Sequence, residues 1–470
     1  MTILRMFQTI GLCLAFAGLG QPAPALAAVG GATQAETHRL SGRWEGPLNV
    51  GGGSIRFVLR VDTSGAAAVD SPDQGVVGLA VSDLSVEGDT VSFQVPSVGG
   101  RFEGVLASDG STLAGALHQG PAQMPLALTR VEETASAAAP ARPQHPVEPY
   151  PYRVEEVVFD NPAALGVRLA GTLTLPEGEG PFPAAVLISG SGPQDRDETI
   201  LGHKPFLVWA DALTRRGVAV LRYDDRGMGH STGDFLAATS ADFATDTAAA
   251  VAFLQSRHEI DSGRIGLIGH SEGGLIAPMV AVEGGEVAWV VMLAGPAVSG
   301  GEILQEQQRR LAAAAGMSPE EVAAGNRIQR AVLEAVAENA DDGEAAAIAV
   351  TALLVAIGMP EGQSRQSAES VSGPWYRWFV AHDPAATLQS LNVPLLAVYG
   401  GKDLQVPADQ NAPVLEGLNP AAQVVVFPEL NHLLQTAETG QVEEYGEIEE
   451  TIAAEALTMV VDWVMARSAD

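Results

Sequence analysis

The sequence predicts an α/β domain with a parallel sheet and a helical cap insertion, preceded by a small all-β domain. Three observations carry this. Beyond residue 152, apolar runs of strand length alternate with segments whose apolar residues recur at helical spacing. Between 36 and 131, apolar and polar residues alternate one by one, the period of a strand with one wet face. A Pro- and Ala-rich stretch, 132–151, separates the two patterns.

The chain has 470 residues, 46% of them hydrophobic and 18% charged, with a formal net charge of −31. That length has room for two or three domains and a sizeable core. Such acidity excludes a nonspecific nucleic-acid binder, which works by neutralising phosphates. It equally disfavours an anionic membrane surface.

Residues 1–27 read as a secretory leader rather than as part of the fold. Arg5 is the positive end, 10–19 is apolar, Pro22 and Pro24 break any helix, and Ala25-Leu26-Ala27 is a cleavage pattern. The run is too short to span a bilayer, so no stable membrane insertion is expected after cleavage. The single cysteine, Cys13, lies within the leader, and Leu12 stands where a lipoprotein signal needs a small residue. The expectation is an exported protein, periplasmic or secreted, held together by its core without disulfides.

In the β-rich region, Ile55, Phe57, Leu59 and Val61 alternate with Arg56, Val58 and Arg60, and Val91, Phe93 and Val95 with Ser92 and Gln94. Gly65, Gly88-Asp89 and Asp109-Gly110 between such runs are hairpin chemistry. A small antiparallel sandwich or barrel follows. His38 and His118 stand alone there, with no catalytic or metal pattern around them.

Pro140, Pro143, Pro146, Pro149 and Pro151 favour an extended, semi-rigid spacer and mark the domain boundary. In 152–470 the apolar runs are 184–189, 218–223, 265–268, 289–293, 395–399 and 424–427, with helical patterns over 206–216 and 241–257. Continuous apolar strands between helices describe a sheet covered on both faces. About 300–384 is surplus to that sheet. Ser318-Pro319-Glu320-Glu321 is a capping box with Pro at the first helical position. Val322, Ile328, Val332, Leu333 and Val336 follow at helical spacing. The insertion reads as a cap over the strand ends, with a plain extension of the scaffold as the alternative.

Gly269-His270-Ser271-Glu272-Gly273 carries the chemistry. It follows the 265–268 strand and precedes an apolar helix start, which is the setting of a G-x-S-x-G nucleophile elbow. Gly269 and Gly273 permit the tight turn; His270 and Glu272 flank the nucleophile. A serine needs a base, and the base an acid. Asp403 follows the 395–399 strand directly. His432 follows the 424–427 strand and is the only histidine beyond Asp403. Glu429 is a rival acid, disfavoured because it shares a short loop with His432. Ser271 as a mere helix N-cap is the bland alternative.

From about residue 155 onward the chain resembles the α/β-hydrolase superfamily, especially secreted bacterial esterases and serine-aminopeptidase-like members. The resemblance rests on an ordered motif set: Ser189-Gly190-Ser191-Gly192-Pro193-Gln194-Asp195-Arg196-Asp197, Asp224-Asp225-Arg226-Gly227-Met228-Gly229-His230-Ser231, the Ser271 elbow, Gly401-Lys402-Asp403 and Asn431-His432. It implies an eight-stranded sheet and an acyl-enzyme mechanism. Many members carry His-Gly where this chain has Ser189-Gly190. The expected oxyanion donors are the backbone N–H of Glu272 and one from the 189–192 loop, with Ser191 the choice.

Gly227-Met228-Gly229 reads as a turn after a strand rather than a dinucleotide site. No P-loop, no H-E-x-x-H and no metal-ligand spacing occurs, so neither a cofactor nor a metal is expected. Asp195, Arg196 and Asp197 fit an ion-pair network better than a substrate site. Trp375, Tyr376 and Trp378 fit an acyl pocket and a cap core equally. The sequence thus predicts a serine hydrolase (carboxylesterase-like) acting on a small-molecule ester through Ser271, His432 and Asp403. A serine aminopeptidase with the same triad is the first alternative. A non-catalytic interaction protein is the weaker one, since no triad member is missing.

Overall fold

The computed structural model describes residues 38–131, apart from 51–52, 63–64, 72–75, 96–99 and 120–121, and residues 141–468, apart from 285. The predicted leader, with Cys13, lies outside the described residues. The chain forms two compact units that part between Ala139 and Pro140.

The first unit is all β. Its strands are β1 (Gly42–Val50), β2 (Gly53–Val61), β3 (Ala67–Ser71), β4 (Val76–Ala80), β5 (Ser82–Glu87), β6 (Thr90–Val95), β7 (Gly100–Leu106), β8 (Thr112–Gln119) and β9 (Ala122–Val131). They form one antiparallel ladder in the order β4-β3-β2-β1-β9-β8-β7-β6-β5. One residue, Val81, joins β4 to β5, the strands at its two edges, so this single sheet must curl until its edges approach each other. Alternation decides which side is buried: Phe57, Leu59, Val61, Val91, Phe93 and Val95 all join one core with Trp44 and Phe102. Gly88, at φ 63°, closes the β5–β6 hairpin in a conformation that side chains resist.

The second unit holds the remaining strands: β10 (Arg153–Asp160), β11 (Arg168–Leu175), β12 (Phe182–Ile188), β13 (Ala219–Tyr223), β14 (Ile260–His270), β15 (Trp289–Leu293), β16 (Leu395–Gly400) and β17 (Gln423–Phe427). Their order is β10-β11-β13-β12-β14-β15-β16-β17. β10 and β11 are antiparallel to their neighbours, and the rest run parallel. Helices α1 (Pro205–Arg215), α2 (Ser240–Gln255) and α3 (Glu272–Val282) connect the strands. So do α4 (Gly300–Ala314), α5 (Pro319–Ala337), α6 (Gly343–Ala356), α7 (Glu361–Val371), α8 (Pro374–Ala381) and α9 (Ala385–Ser390). The chain ends with α10 (Ala408–Leu418), α11 (Val442–Tyr445) and α12 (Ala454–Ser468).

The continuous apolar strands have a simple cause. Ala184, Val186 and Ile188 of β12 pack toward α2 and α3. The residues between them, Ala185 and Leu187, pack toward α1 and α12 with Trp209, Trp289 and Trp463. Burial on both faces leaves no polar position in the strand.

The insertion 300–384 is the five helices α4–α8. The Ser318 box forms as expected: Glu321 N–H donates to Ser318 Oγ, Ser318 N–H donates to Glu321 Oε2 at 2.9 Å, and Pro319 begins the helix. Val332, Leu333 and Val336 are buried, while Val322 and Ile328 are half-buried. No helix among the described residues is long and apolar enough to cross a membrane.

Part of the Pro-rich stretch is not a free spacer. The Arg142 guanidinium donates to the carbonyls of Ile448 (2.6 Å), Gly446 (2.8 Å) and Leu201 (3.0 Å). Gln144 accepts from the N–H of Ile452 at 3.0 Å and donates to its carbonyl at 2.7 Å. Residues 142–145 are therefore a strap on the α/β unit. Composition could not reveal those partners, and 142–145 is a turn instead of an extended run, with His145 N–H donating to the Arg142 carbonyl at 3.0 Å.

Candidate active site

Ser271 sits between the last residue of β14 and the first of α3, at φ 52° and ψ −117°. The strand-to-helix reversal forces this left-handed backbone, which costs a non-glycine residue about 1 kcal/mol or more. Close approach explains the flanking glycines. A Cβ on Gly269 would stand 1.9 Å from the carbonyl oxygen of Gly273, and one on Gly273 would stand 2.1 Å from that of Ile188. Ser271 N–H donates to the carbonyl of Leu293 at 2.8 Å, fixing the turn to β15.

Asp403 follows β16 and is almost fully buried. Its Oδ1 accepts the N–H groups of Gln405 (2.7 Å) and Val406 (2.9 Å). Its Oδ2 takes the Nδ1–H of His432 at 2.8 Å. That bond leaves Nε2 of His432 as the ring's acceptor. Asn431 shapes the loop that carries the ring: its Oδ1 accepts from Leu433 N–H and Gln435 N–H, both at 3.0 Å. Glu429 is not at the imidazole. Its carboxyl is 64% exposed and pairs with Lys402 Nζ at 2.6 Å.

Ser271, His432, Ser191 and Glu272 line one cleft of about 1030 Å³, counted to its open mouth. The structure thus brings together the predicted nucleophile, base, acid and oxyanion candidates. Glu272 opens α3, so its N–H is one of the donors a helix leaves unpaired. In the 189–192 loop, Gly190 N–H is already given to Glu198 Oε1 at 2.7 Å. Ser191 is the next N–H along.

The cap supplies the apolar wall through Ile303 and Leu304 of α4 and Trp375, Tyr376 and Phe379 of α8. The aromatic trio divides. Trp375 and Tyr376 face the cleft, whereas Trp378 stacks on His382 with ring centroids 4.3 Å apart. Trp375 Nε1–H donates to Glu272 Oε1 at 2.7 Å, where Ser240 Oγ also donates at 2.5 Å. Burial pushes the Glu272 carboxyl above its usual range, against the hydrogen bonds from Ser240, Trp375 and Ser191.

The Asp195–Asp197 segment builds a scaffold. Arg196 pairs with Asp224 at 2.8 Å and Glu156 at 2.5 Å, and Asp197 pairs with Arg222 at 2.6 Å. Burial alone would raise the Asp224 carboxyl, but the Arg196 guanidinium and the His230 N–H hold it below the usual range. Asp225 binds Ser189 Oγ (2.8 Å) and Gln194 N–H (2.9 Å), pinning the start of the same loop. Glu198 escaped the sequence reading. It is buried in the cleft wall against His270, at 2.8 Å from Nδ1, and no local pattern marks it. No cluster of His, Cys, Asp and Glu among the described residues is arranged to hold a metal ion.

A family model described as X-Pro dipeptidyl-peptidase (S15 family) matches residues 166–433, more than half of the chain. The chain belongs to the S15 family. Ser191, Ser271, Glu272, Asp403 and His432 all fall inside the matched S15 segment. Among curated proteins, esterase EstD of Thermotoga maritima is 29% identical over 272 residues, 57% of this chain and 59% of that protein. The chain thus spans about three-fifths of that relative's length. Solved structures of similar fold include the Pyrococcus furiosus esterase Pf2001, at 16% identity, 68% of this chain, 92% of that one and a TM-score of 0.41. Another is the α/β-hydrolase GrgF from Penicillium sp. sh18, at 17% identity, 68% of this chain, 100% of that one and a TM-score of 0.44. The α/β unit of this S15-family chain has the α/β-hydrolase architecture that its motifs predict, and the unit before it is all β.

Proposed function

We propose that the protein is an exported serine hydrolase that cleaves carboxylic esters through an acyl-enzyme. The observation that carries the reading is that Ser271, on its strained turn, and the Asp403-bound ring of His432 line the same cleft. In this reading Nε2 of His432 takes the Ser271 proton as Oγ attacks the acyl carbon. The oxyanion then receives the N–H groups of Glu272 and Ser191. His432 returns the proton to the departing alcohol, and a water molecule it deprotonates cleaves the acyl-serine. Asp403 fixes the tautomer and stabilises the imidazolium.

An amide-cleaving aminopeptidase is the second reading, favoured by the S15 membership and by two buried carboxylates, Glu198 and Glu272, in the cleft wall. A substrate ammonium would need one of them free. Glu272 already accepts from Ser240 and Trp375, and Oε1 of Glu198 accepts from Gly190 and His270, which leaves only the buried Oε2 of Glu198 without a hydrogen-bond partner. An alkoxide also leaves more readily than an amine. The ester reading is therefore preferred, in keeping with the name of the Thermotoga maritima relative. Export rests on the leader pattern of residues 1–27.

The test is to profile the purified protein on short p-nitrophenyl esters beside aminoacyl anilides, with Ser271→Ala as control. Esters should be turned over with the higher kcat/KM. Anilides far ahead of short esters would replace this reading with the aminopeptidase.

A further inference from the structure

His270 does more than precede the nucleophile. Its ring lies beside that of His432, centroids 4.9 Å apart, and its Nε2 is 3.0 Å from the backbone carbonyl of His432. A carbonyl only accepts, so Nε2 carries a proton. Nδ1 faces Glu198 Oε1 at 2.8 Å, and the same oxygen takes Gly190 N–H at 2.7 Å. One carboxyl oxygen thus joins the 189–192 loop to the ring, and the ring joins that carboxyl to the peptide of His432. Glu198 holds a left-handed backbone, φ 52°, like Ser271. Such conformations persist where the surroundings over-determine them.

We propose that Glu198 and His270 are an ion-paired positioning couple that sets the oxyanion loop and the base His432 relative to Ser271. The proposal rests on the serine-hydrolase reading above, and neither residue touches the reacting atoms. The charges around the ring are few. Glu198 comes from the loop after β12, Asp403 from the loop after β16, and the ring of His432 from the loop after β17. On its inner side the ring shares a small pocket with the apolar Phe206, Trp209, Leu293 and Ile452, and on its outer side it lines the cleft beside Ser271 and Glu272. Burial pulls the His270 ring down, but the Glu198 carboxylate outweighs it and leaves the ring above the ordinary histidine value of 6.5.

Glu198→Gln separates charge from shape, because glutamine keeps the size and an acceptor for Gly190. Wild type and variant are compared by thermal unfolding, fluorophosphonate labelling of Ser271, kinetics on p-nitrophenyl acetate, and nitrogen-15 NMR of the histidine rings. In wild type one buried ring should titrate above the ordinary value; in Glu198→Gln that ring should drop below it. The variant should lose about 10- to 100-fold in kcat, the range set by misplaced catalytic groups, with KM within about twofold. An unchanged kcat in the folded variant overturns the couple while leaving a labelled Ser271 standing. A wild type that fluorophosphonate does not label overturns the serine reading and the couple with it. If Glu198→Gln fails to fold, the wild-type spectrum decides: no ring titrating above the ordinary value defeats the proposal.

Discussion

Nδ1 of His432 stands 2.8 Å from Oδ2 of Asp403, although the two residues come from loops after different strands. Glu429, three positions from His432 in the same loop, turns its carboxyl out to Lys402. Short loops carry their side chains in different directions, and the residue nearest in sequence is not the one nearest the ring. Ser271→Ala and His432→Ala should each lower kcat by on the order of 10³ or more, with folding intact. Asp403→Asn should cost far more than Glu429→Gln, which alters only an exposed pair. Steady-state kinetics on one soluble ester checks all four. Substantial turnover left in both the Ser271 and His432 variants would sink the triad.

The cap wall offers a second test. Trp375 is stacked on Phe379 at 5.0 Å and tied to Glu272, so its indole is a fixed part of the cleft. Trp375→Ala should raise KM for bulky acyl esters about tenfold, the worth of roughly 1.4 kcal/mol of lost apolar contact. An acetyl ester, too small to reach the wall, should change by less than about threefold. Equal losses on both esters would mean that the residue supports the elbow through Glu272 rather than contacting substrate.

Much of this architecture was legible in the sequence, for reasons that differ by element. Five of the six parallel strands were visible because burial on both faces leaves few polar residues in them. β17, at the sheet edge and only partly buried, showed through its run of valines, Val424, Val425 and Val426. β10 was not visible, because only Val157 and Phe159 of its eight residues are buried and four of the other six are charged. β11 was hidden by Gly and Thr. Ser271, Asp403 and His432 were found because each directly follows an apolar strand or its loop. Glu198 and His270 are 72 residues apart and meet through the fold alone, so no spacing announces them. Helical spacing could not sort Trp375 from Trp378, since one helix shows different faces to the cleft and to His382.

Acid should expose a buried histidine. His203 is 0% exposed, with Nδ1 2.9 Å from Thr451 Oγ1 and Nε2 2.9 Å from the carbonyl of Tyr445. That pattern suits the neutral ring, which donates from Nε2 and accepts at Nδ1. Burial pulls its pKa from 6.5 to about 4. Between those values the unfolded chain binds the proton and the folded chain refuses it. The stabilisation is full above pH 6.5 and is lost as pH falls toward 4. At about 1.4 kcal/mol per unit the gap amounts to at most about 3.5 kcal/mol. Urea unfolding at neutral pH and near pH 4.5 should therefore show His203→Asn losing less stability on acidification than wild type, though starting lower. The same acid loss in both proteins would acquit His203.

The strap determines where the α/β unit can be cut. A chain starting at Pro140 keeps Arg142, Gln144 and His145, whereas one starting at Tyr150 loses all three. Arg142 alone serves three carbonyls on the loops around Leu201 and 446–448, and Gln144 serves Thr451 and Ile452. These loops also hold His203 through Tyr445 and Thr451, and Leu201 follows Glu198 closely. Removing the strap would leave those groups to water at a net cost of about 1 kcal/mol per bond, and more for the charged donor. The Pro140 chain should fold and keep most of the kcat of the full protein on a small soluble ester, because every proposed catalytic group lies within 190–433. The Tyr150 chain should be less stable by about 2–4 kcal/mol in urea, and Arg142→Ala in the full chain should reproduce part of that loss. Activity must be compared at matched folded fraction, so that instability is not read as lost catalysis. If the folded Pro140 chain were a hundredfold slower than the full protein, the β-rich unit would have to contribute to the site. If the two truncated chains were equally stable, the strap would be ornament, and its hydrogen bonds worth no more than the water they displace.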